Sequence, residues 1–385
     1  MNILKKIGFT KKINYHPQKY YSERKNKKNY IIHHYCPHTF NAGDHFVIQS
    51  IRKHLKKYLS DAVFIPKAVA GNRGWGKPIG LKEENIYFSN KYADAVILGG
   101  SDQYHNWSPR IKADEICHLK PSLFFIGLGV SSKDLDSEPY LKKEEYKRDI
   151  LVANQKCALS SVRDKITYDF LKKIGYENAV ITGCPALFLF DEKMHLNSDD
   201  SPLLLTFPYP LLHKQKDKKL NTKFSTLLNT IILILKELSK QNRNPILVCH
   251  DDRDVPVVQE IFPGHNVFFS NYVEDYYDLY KNAKMVIGSR LHATILASGM
   301  GIPSININLD LRGKGFSETF GLTDWNIDYN DADLSAKIKD RIKRIDNNDL
   351  SAFNDFAELR MEYKKIYESF MKKTAEIIKS SKKLK

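Results

Sequence analysis

Arg290 and His292 are the residues in this sequence whose types and setting best suit chemistry on an anion. They lie in Met285-Val-Ile-Gly-Ser-Arg-Leu-His-Ala-Thr-Ile-Leu-Ala-Ser-Gly-Met-Gly-Ile-Pro-Ser-Ile-Asn. The apolar run Met285 to Ile287 reads as a strand that stops at Gly288, and Ala293, Ile295, Leu296 and Ala297 form the body of a helix. Ser289 is of the type that caps a helix N-terminus. Gly301 stands where a left-handed residue would end the helix, and Pro303 prevents continuation. Arg290 and His292 therefore fall at the first turn, beside backbone N–H groups without intrahelical acceptors and the positive end of the dipole. A planar bidentate donor and a titratable imidazole there make a seat for a phosphate or carboxylate. The residues alone leave a second reading open, in which Arg290 caps a neighbouring carbonyl and His292 is satisfied in the interior.

The elements that must position this pair alternate along the chain. Strand composition at Tyr30 to Tyr35 precedes the loop Asn41-Ala42-Gly43-Asp44 and a helical pattern through Val47, Ile48, Ile51 and Leu55. A strand is expected from Asp61 to Pro66, and the glycine-rich stretch Gly71 to Gly80 is a loop able to close over a ligand. Asp94 to Leu98, ending at Gly99-Gly100, and Ser122 to Leu128 are continuous apolar runs of the kind buried on both faces of a parallel sheet. A helix over 144–158, a strand from Leu159 into Arg163, a helix from Ile166 to Ile174 and a strand at Val180 to Gly183 complete a first unit. The polar stretch Asp191 to Pro202 is the expected linker. Strands at Leu203–Phe207, Pro245–Cys249, Val267–Phe269, Met285–Gly288 and Ser304–Ile307 then alternate with helices at Phe224–Ser239, Val255–Ile261, Val273–Ala283 and His292–Met300. The expected organisation is a basic tail (1–28), an N-terminal Rossmann-like domain (29–195), a C-terminal one (202–345) and a helical segment, single or paired, with a basic end (346–385).

Four further strings stand in order with the Arg290 motif. Ser289-Arg290-Leu291-His292 with Ala297, Gly301 and Pro303 resembles the C-terminal signature of the polysaccharide pyruvyl transferases. Asn41-x-Gly43-Asp44, Ser161-x-Arg163-Asp164, Gly183-Cys184-Pro185 and the strand from Asp94 into Gly100 resemble that family's other elements, over about residues 30–325. Ser101 departs from it where relatives carry a third glycine. So does Asn308 to Gly315, where they have an aromatic residue and a lysine. The resemblance implies an α/β fold of two Rossmann-like domains facing a central cleft, the GT-B architecture, with the acceptor on the N-terminal side and the donor on the C-terminal side. It also implies transfer of the enolpyruvyl unit of phosphoenolpyruvate to a sugar of a polysaccharide or glycan precursor, as a ketal. By the same resemblance Arg163 and Arg290 would clamp the anion, with the N–H of Leu291 adding a contact and His292 serving as acid. Asp44 would be base or sugar-orienting carboxylate, its other reading being a carboxylate that closes the Gly43 turn and caps the next helix. Asn41, Gly43, Gly100 and Ser289 carry over as substrate-binding positions. No cofactor beyond the phosphoenolpyruvate donor is expected, and no metal.

The remaining features bound the function. The formal charge is +15, but residues 1–30 hold nine Lys and Arg against Glu23 alone, and residues 360–385 hold nine against three Glu. The body between them is nearly neutral, which excludes a nucleic-acid groove and leaves basic ends suited to weak contact with an anionic membrane. No apolar stretch reaches the roughly 20 residues of a membrane span, and the N-terminus lacks a signal-peptide core, so the expected compartment is the cytoplasm, peripheral at the membrane if the acceptor is lipid-linked. Cys36, Cys117, Cys157, Cys184 and Cys249 are widely spaced and read as small buried hydrophobes. His33, His34, His38 and His45 read as a polar edge of the cleft, and Tyr104 to Trp107 as a sugar platform. Asp251, Asp252 and Asp254 suit a sugar, a metal-bridged nucleotide or the start of a helix. Two other functions fit the same fold: a glycosyltransferase with a nucleotide-sugar donor, and a non-catalytic carbohydrate-binding protein.

Overall fold

The computed structural model describes residues 29–37, 41–69, 80–100, 104, 111–132, 134–135, 141–206 and 218–383, and within them two six-stranded sheets follow one another. The first holds β1 (Tyr30–Cys36), β2 (Ala62–Ala68), β3 (Ala95–Leu98), β4 (Ser122–Leu128), β5 (Leu159–Val162) and β6 (Val180–Ile181), in the order β2-β1-β3-β4-β5-β6. The second holds β7 (Leu203–Thr206), β8 (Ile246–Val248), β9 (Val267–Phe268), β10 (Met285–Gly288), β11 (Ser304–Asn308) and β12 (Asn326–Asp328), in the order β12-β11-β10-β7-β8-β9. Every pairing is parallel. Parallel neighbours need crossovers, and these are helices α1 (Ala42–Tyr58), α2 (Glu83–Tyr92), α3 (Ala113–Ile116), α4 (Glu144–Lys156), α5 (Lys165–Lys173), α6 (Lys218–Lys240), α7 (Asp254–Ile261), α8 (Val273–Lys281), α9 (Leu291–Gly299) and α10 (Leu311–Phe320). Helices α11 (Leu334–Asp346) and α12 (Ser351–Lys383) complete the chain.

The strand orders place the chemistry. In each sheet the winding reverses once, between β1 and β3 in the first and between β7 and β10 in the second. Ligands of doubly wound sheets bind outside the strand carboxyl ends at such switch points. The Asn41 loop leaves β1 and Gly99-Gly100 leaves β3, while Thr206 closes β7 and Ser289 follows β10. The motifs read from the sequence thus flank both switch points.

The all-apolar strands β3 and β10 are wholly buried, as their composition requires. One face of the first sheet has its own core, with Leu98, Phe125, Val162 and Leu171. The opposite face shares a continuous core with the second sheet, running from Ile32, Phe46 and Ile51 through Leu187 and Tyr367 to Leu205 and Ile287. A short 3-10 turn, Pro185–Phe188, and α12 make this bridge: Tyr367 stacks on Phe188 at 5.1 Å, and Ser381 Oγ lies 3.1 Å from Ser122 Oγ. The polar stretch after Leu189 has no helix or strand before β7, yet it is pinned. Lys53 donates to the Leu189 carbonyl at 2.8 Å, and Arg360 to those of Phe190 and Glu192 at 2.8 and 2.7 Å.

Several expectations change. Strand β2 runs on to Ala68 through Pro66, which an edge strand tolerates. Helices α2, α3, α10 and α11 and strand β12 have no counterpart in the sequence reading, and of the two readings of the C-terminal segment the structure shows the single helix. Cys117 is exposed, its thiol donating to the Asp114 carbonyl at 3.0 Å, whereas Cys36, Cys184 and Cys249 are buried. The tail 1–28, most of the loop 71–80 and the residues of 105–107 lie outside the described residues, as does His38. Among the described residues, no helix is long and apolar enough to cross a membrane.

Candidate active site

Strand β10 delivers the chain to Ser289 and Arg290, and α9 folds back so closely that a Cβ on Gly288 would stand 2.8 Å from Thr294 Cγ2. Ser289 does not cap α9. Its hydroxyl donates to the Thr206 carbonyl at 2.8 Å, tying the end of β10 to the end of β7, and Arg290 occupies the N-cap position without a side-chain cap bond. The strand end claims the serine because its backbone N–H also donates to Thr206 O, at 3.3 Å. Leu291 and His292 are the first two helical residues, so their N–H groups have no intrahelical acceptor. Gly301, with φ +76°, ends the helix as its position implied, and packs so tightly that a Cβ would meet the Lys193 carbonyl at 2.0 Å.

The first sheet supplies the facing wall. Asn41 caps α1, its side chain accepting the Gly43 N–H at 3.0 Å, so Asp44 is not the cap and sits in the first turn. Gly43 lies directly under His292: a Cβ there would come within 2.7 Å of the imidazole Nδ1 and 2.8 Å of the histidine Cβ. The same loop joins the second domain through an Asn41–Asp251 bridge and the Ala42 N–H on the His250 carbonyl at 2.8 Å. Gly100, with φ +121°, rests on α1, where a Cβ would meet Ile48 Cγ1 at 2.8 Å. Asn41, Gly43, Leu291 and His292 are therefore brought together across the domains, with Asp44, Ser289 and Arg290 on the same turns and Gly100 on the loop after β3, against α1.

Arg290 carries a partner that the sequence reading missed. Its Nη2 donates to both oxygens of Asp254, at 2.5 and 2.6 Å, and that carboxylate is fully buried at the start of α7. Asp254 also accepts the His250 N–H at 3.3 Å. Thirty-six residues separate the pair. The only sequence signal was an aspartate just after the strand β8, which sits beside β7. Asp251 instead holds the Arg253 guanidinium, at 2.6 and 2.5 Å. His250 is buried, its Nε2 2.8 Å from the Tyr280 hydroxyl. Burial pushes its pKa well below the ordinary histidine value, and the charges of Arg290 and His292 push it further.

Arg163 stands apart from this junction, at the end of β5. It is 4% exposed, donating to Asp164 Oδ2 at 3.2 Å and to the Val130 carbonyl at 3.0 Å. The guanidinium lies across Gly129, where a Cβ would come within 2.1 Å of Nε. Asp164 caps α5 through the Thr167 N–H at 2.7 Å, and burial raises its pKa although Arg163 opposes this. Helix α10 of the second domain closes over the pair: a Cβ on Gly315 would stand 2.8 Å from Asp164 Cγ, and Lys165 N–H donates to Thr319 Oγ1 at 3.1 Å.

Three other candidates are interior residues rather than cleft lining. Tyr104 is buried against Phe125 with its hydroxyl on Asn154, 2.9 Å away, so it is no sugar platform. His33 bonds Ser89 at 3.0 Å, and His34 is sealed between Arg52 and the Gly99 carbonyl, where burial and then the Arg52 charge bring its pKa down to about 3. A β-strand sends such consecutive residues to opposite faces, and both faces here are covered. Among the described residues, no group of three or more His, Cys, Asp or Glu side chains is placed to hold a metal ion.

Comparison with known proteins agrees with this geometry. Curated proteins give no match. Among solved structures, a putative UDP-N-acetylglucosamine 2-epimerase from Listeria monocytogenes aligns with a TM-score of 0.52 at 11% identity, over 86% of this chain and 91% of that one. The UDP-GlcNAc 2-epimerase from Neisseria meningitidis bound to UDP-GlcNAc gives 0.52 at 11%, over 91% and 99%. S. aureus MnaA in complex with UDP gives 0.51 at 13%, over 86% and 91%. At such identities these proteins share the fold, a GT-B-like pair of α/β domains. The family model described as polysaccharide pyruvyl transferase matches residues 41–310, from the cap of α1 to the cap of α10, and so spans both switch points and the Gly43–His292 contact. The chain belongs to the polysaccharide pyruvyl transferase family.

Proposed function

We propose that this protein transfers the enolpyruvyl unit of phosphoenolpyruvate to two hydroxyls of one sugar in a polysaccharide or glycan precursor, forming a cyclic pyruvate ketal and releasing phosphate. The observation that carries the reading is the seating of His292 on Gly43, which sets an imidazole and a helix N-terminus against the Asn41–Asp44 turn. In the proposed reaction His292 delivers a proton to the methylene carbon, and the electron-poor C2 accepts the first sugar oxygen. The second sugar oxygen then replaces the phosphate oxygen on C2. Of the two hydroxyl protons, one balances that on the new methyl group and the other leaves with phosphate. Asp44 is the base or the sugar-orienting carboxylate. The N–H of Leu291 and the Arg290 guanidinium, whose plane Asp254 sets, receive the donor's anionic groups. Arg163, buried against Asp164 at the β5 end, braces that side of the site rather than receiving the donor.

Thermal melting with millimolar phosphoenolpyruvate tests this directly. A ligand at about 100 times its dissociation constant adds about 2.7 kcal/mol of stability to the folded state. The parent should shift upward, and Arg290→Ala and His292→Ala should shift less. Absence of a shift with phosphoenolpyruvate, together with a clear one from a sugar nucleotide, would replace the reading with a glycosyltransferase.

A further inference from the structure

Strand β2 is an edge strand, and its alternation turns Phe64 toward α1, where Arg52 lies 5.6 Å from the ring. Val63, Ile65 and Lys67 face the other way. Val63 and Ile65 are each 37% exposed, and the surface continues onto α2 with Tyr87, 59% exposed, and Phe88, 37%. Lysines are interleaved with the rings. Lys67 Nζ lies 5.7 Å from the Phe88 centroid, and Lys91 Nζ 5.7 and 5.3 Å from those of Tyr87 and Tyr92. Exposed Asp61 and Glu84 stand at the rim.

The tip of α12 and the start of β1 meet at the edge of this surface. The C-terminal end of α2 is tied to the start of β1, with the Asp94 N–H on the Ile31 carbonyl at 2.7 Å and the Ile31 N–H on the Asp94 carboxylate at 2.7 Å. Tyr30 pairs in register with Ala62 of β2. Lys382, at the tip of α12, donates to the Asn29 carbonyl at 2.5 Å and lies 4.4 Å from the Tyr30 centroid. Lys382 and the start of β1, which follows the basic stretch 1–28 in sequence, therefore meet at one corner, beside the aromatic–lysine surface.

We propose that this corner of the N-terminal domain docks the enzyme on an anionic lipid bilayer. Tyrosines and lysines with apolar bodies and polar tips suit the headgroup boundary, and the basic ends add electrostatic attraction. Val63, Ile65 and Phe88 decide between a bilayer and a soluble polyanion, because only the bilayer removes them from water. The site does not depend on which group the enzyme transfers.

The full-length protein should sediment with phosphatidylcholine–phosphatidylglycerol vesicles at low salt, and not with phosphatidylcholine alone. Binding should be lost at about 1 M salt, where the screening length falls to about 3 Å. Each lysine at the surface contributes about fivefold, so Lys67→Glu/Lys91→Glu should weaken vesicle binding more than tenfold. Tyr87→Ser/Phe88→Ser should weaken it severalfold at unchanged melting temperature, and the more exposed Tyr87→Ser alone serves if the pair melts lower. No sedimentation of the parent with anionic vesicles overturns the proposal. So does parental binding by both double variants, which would leave the chain ends as the whole attraction, or binding to heparin without vesicle uptake.

Discussion

Arg163 with Asp164 and Arg290 with Asp254 are both arginine–aspartate pairs at strand carboxyl ends, one in each sheet, and they differ in three respects. The first pair is adjacent in sequence, joined by one 3.2 Å bond, with both side chains under 5% exposed. The second spans the domain, joins one guanidinium nitrogen to both carboxylate oxygens, and leaves the arginine 15% exposed above a fully buried aspartate. The first lies at β5, away from the reversal of its sheet, and the second at the β7–β10 switch point. Burial lifts Asp164 toward its neutral form although Arg163 and the Thr167 hydrogen bonds oppose it. A short two-oxygen contact instead fixes Arg290 where a helix N-terminus is open. The pair that braces and the pair that presents a cation are told apart by position on the sheet, not by residue type.

The widest separation between the two regions should come from His292, which has no equivalent beside Arg163. His292→Ala should lower turnover by about 10²–10⁴-fold, the range of a lost general acid, with little change in melting temperature. Phosphate release from phosphoenolpyruvate in the presence of a glycan acceptor reads the first and thermal melting the second. Retained turnover would remove the acid from the mechanism.

The same substitution should then cost unequal amounts in the two pairs. Asp254→Asn leaves the Arg290 cation without a carboxylate in a largely buried setting, which costs about 3 kcal/mol or more. It should also weaken the melting shift given by phosphoenolpyruvate. Asp164→Asn also takes the carboxylate from a buried arginine, but it keeps an N-cap of equal quality and removes a charge that burial already disfavours, so it should cost less than Asp254→Asn. Equal losses from urea titrations of the two variants would show that both pairs are simple braces.

Gly43→Ala refines the comparison at smaller scale. Alanine is about 1 kcal/mol better than glycine within a helix, so α1 itself would gain. Its Cβ, however, would stand 2.7 Å from the imidazole Nδ1 and displace the ring. A shift of about 1 Å at a catalytic group costs on the order of 10²-fold. Because His292 Cβ would also lie within 2.8 Å, the helix gain is offset, and the expected result is an enzyme that melts somewhat lower and turns over about a hundred times more slowly. Unchanged turnover would mean that His292 can move without loss.

Much of this arrangement was legible because the decisive signals are local. The Gly288–Pro303 stretch encodes a strand, a turn, a helix and its stop within one window, and Asn41-x-Gly43-Asp44 encodes a cap and a glycine. Ser289 was misread as the cap since capping type is local, whereas its preference for Thr206 depends on β7 lying alongside. Asp254 escaped for the same reason: its bond to Arg290 exists only once β8 and β10 flank β7. Helices α10 and α11 were missed because glycines interrupt the first and charge dominates the second. Tyr104 and His34 looked functional from polarity alone, and burial in the tertiary structure reversed that.

The smallest effect, and the most diagnostic of the surroundings of Asp254, is in the pH dependence of stability. The backbone N–H of His250 donates to Asp254, and its imidazole, 2.8 Å from the Tyr280 hydroxyl, is held neutral by burial and by the charges of Arg290 and His292. His34, in the first sheet, is held down to about 3 by burial and Arg52. Both folded values lie below that of the unfolded chain, about 6.5. Acidification below that point loads protons onto the unfolded state alone, so this stability is complete above pH 6.5 and declines on lowering the pH, by about 1.4 kcal/mol per unit for each histidine. Asp164 has the opposite sign: its raised value stabilises the fold below the ordinary carboxylate range and that contribution is lost as pH rises through it. His54 is likewise held down to about 4 by burial, so across pH 6 to 5 three buried histidines dominate and the parent should lose up to about 4 kcal/mol. His250→Gln should cut that slope by about a third in urea titrations at the two pH values, as should His34→Gln, because each removes one of three silent proton acceptors. A parental slope in the His250 variant would mean that the imidazole titrates freely in the fold, and that the cations placed around Asp254 do not act on it.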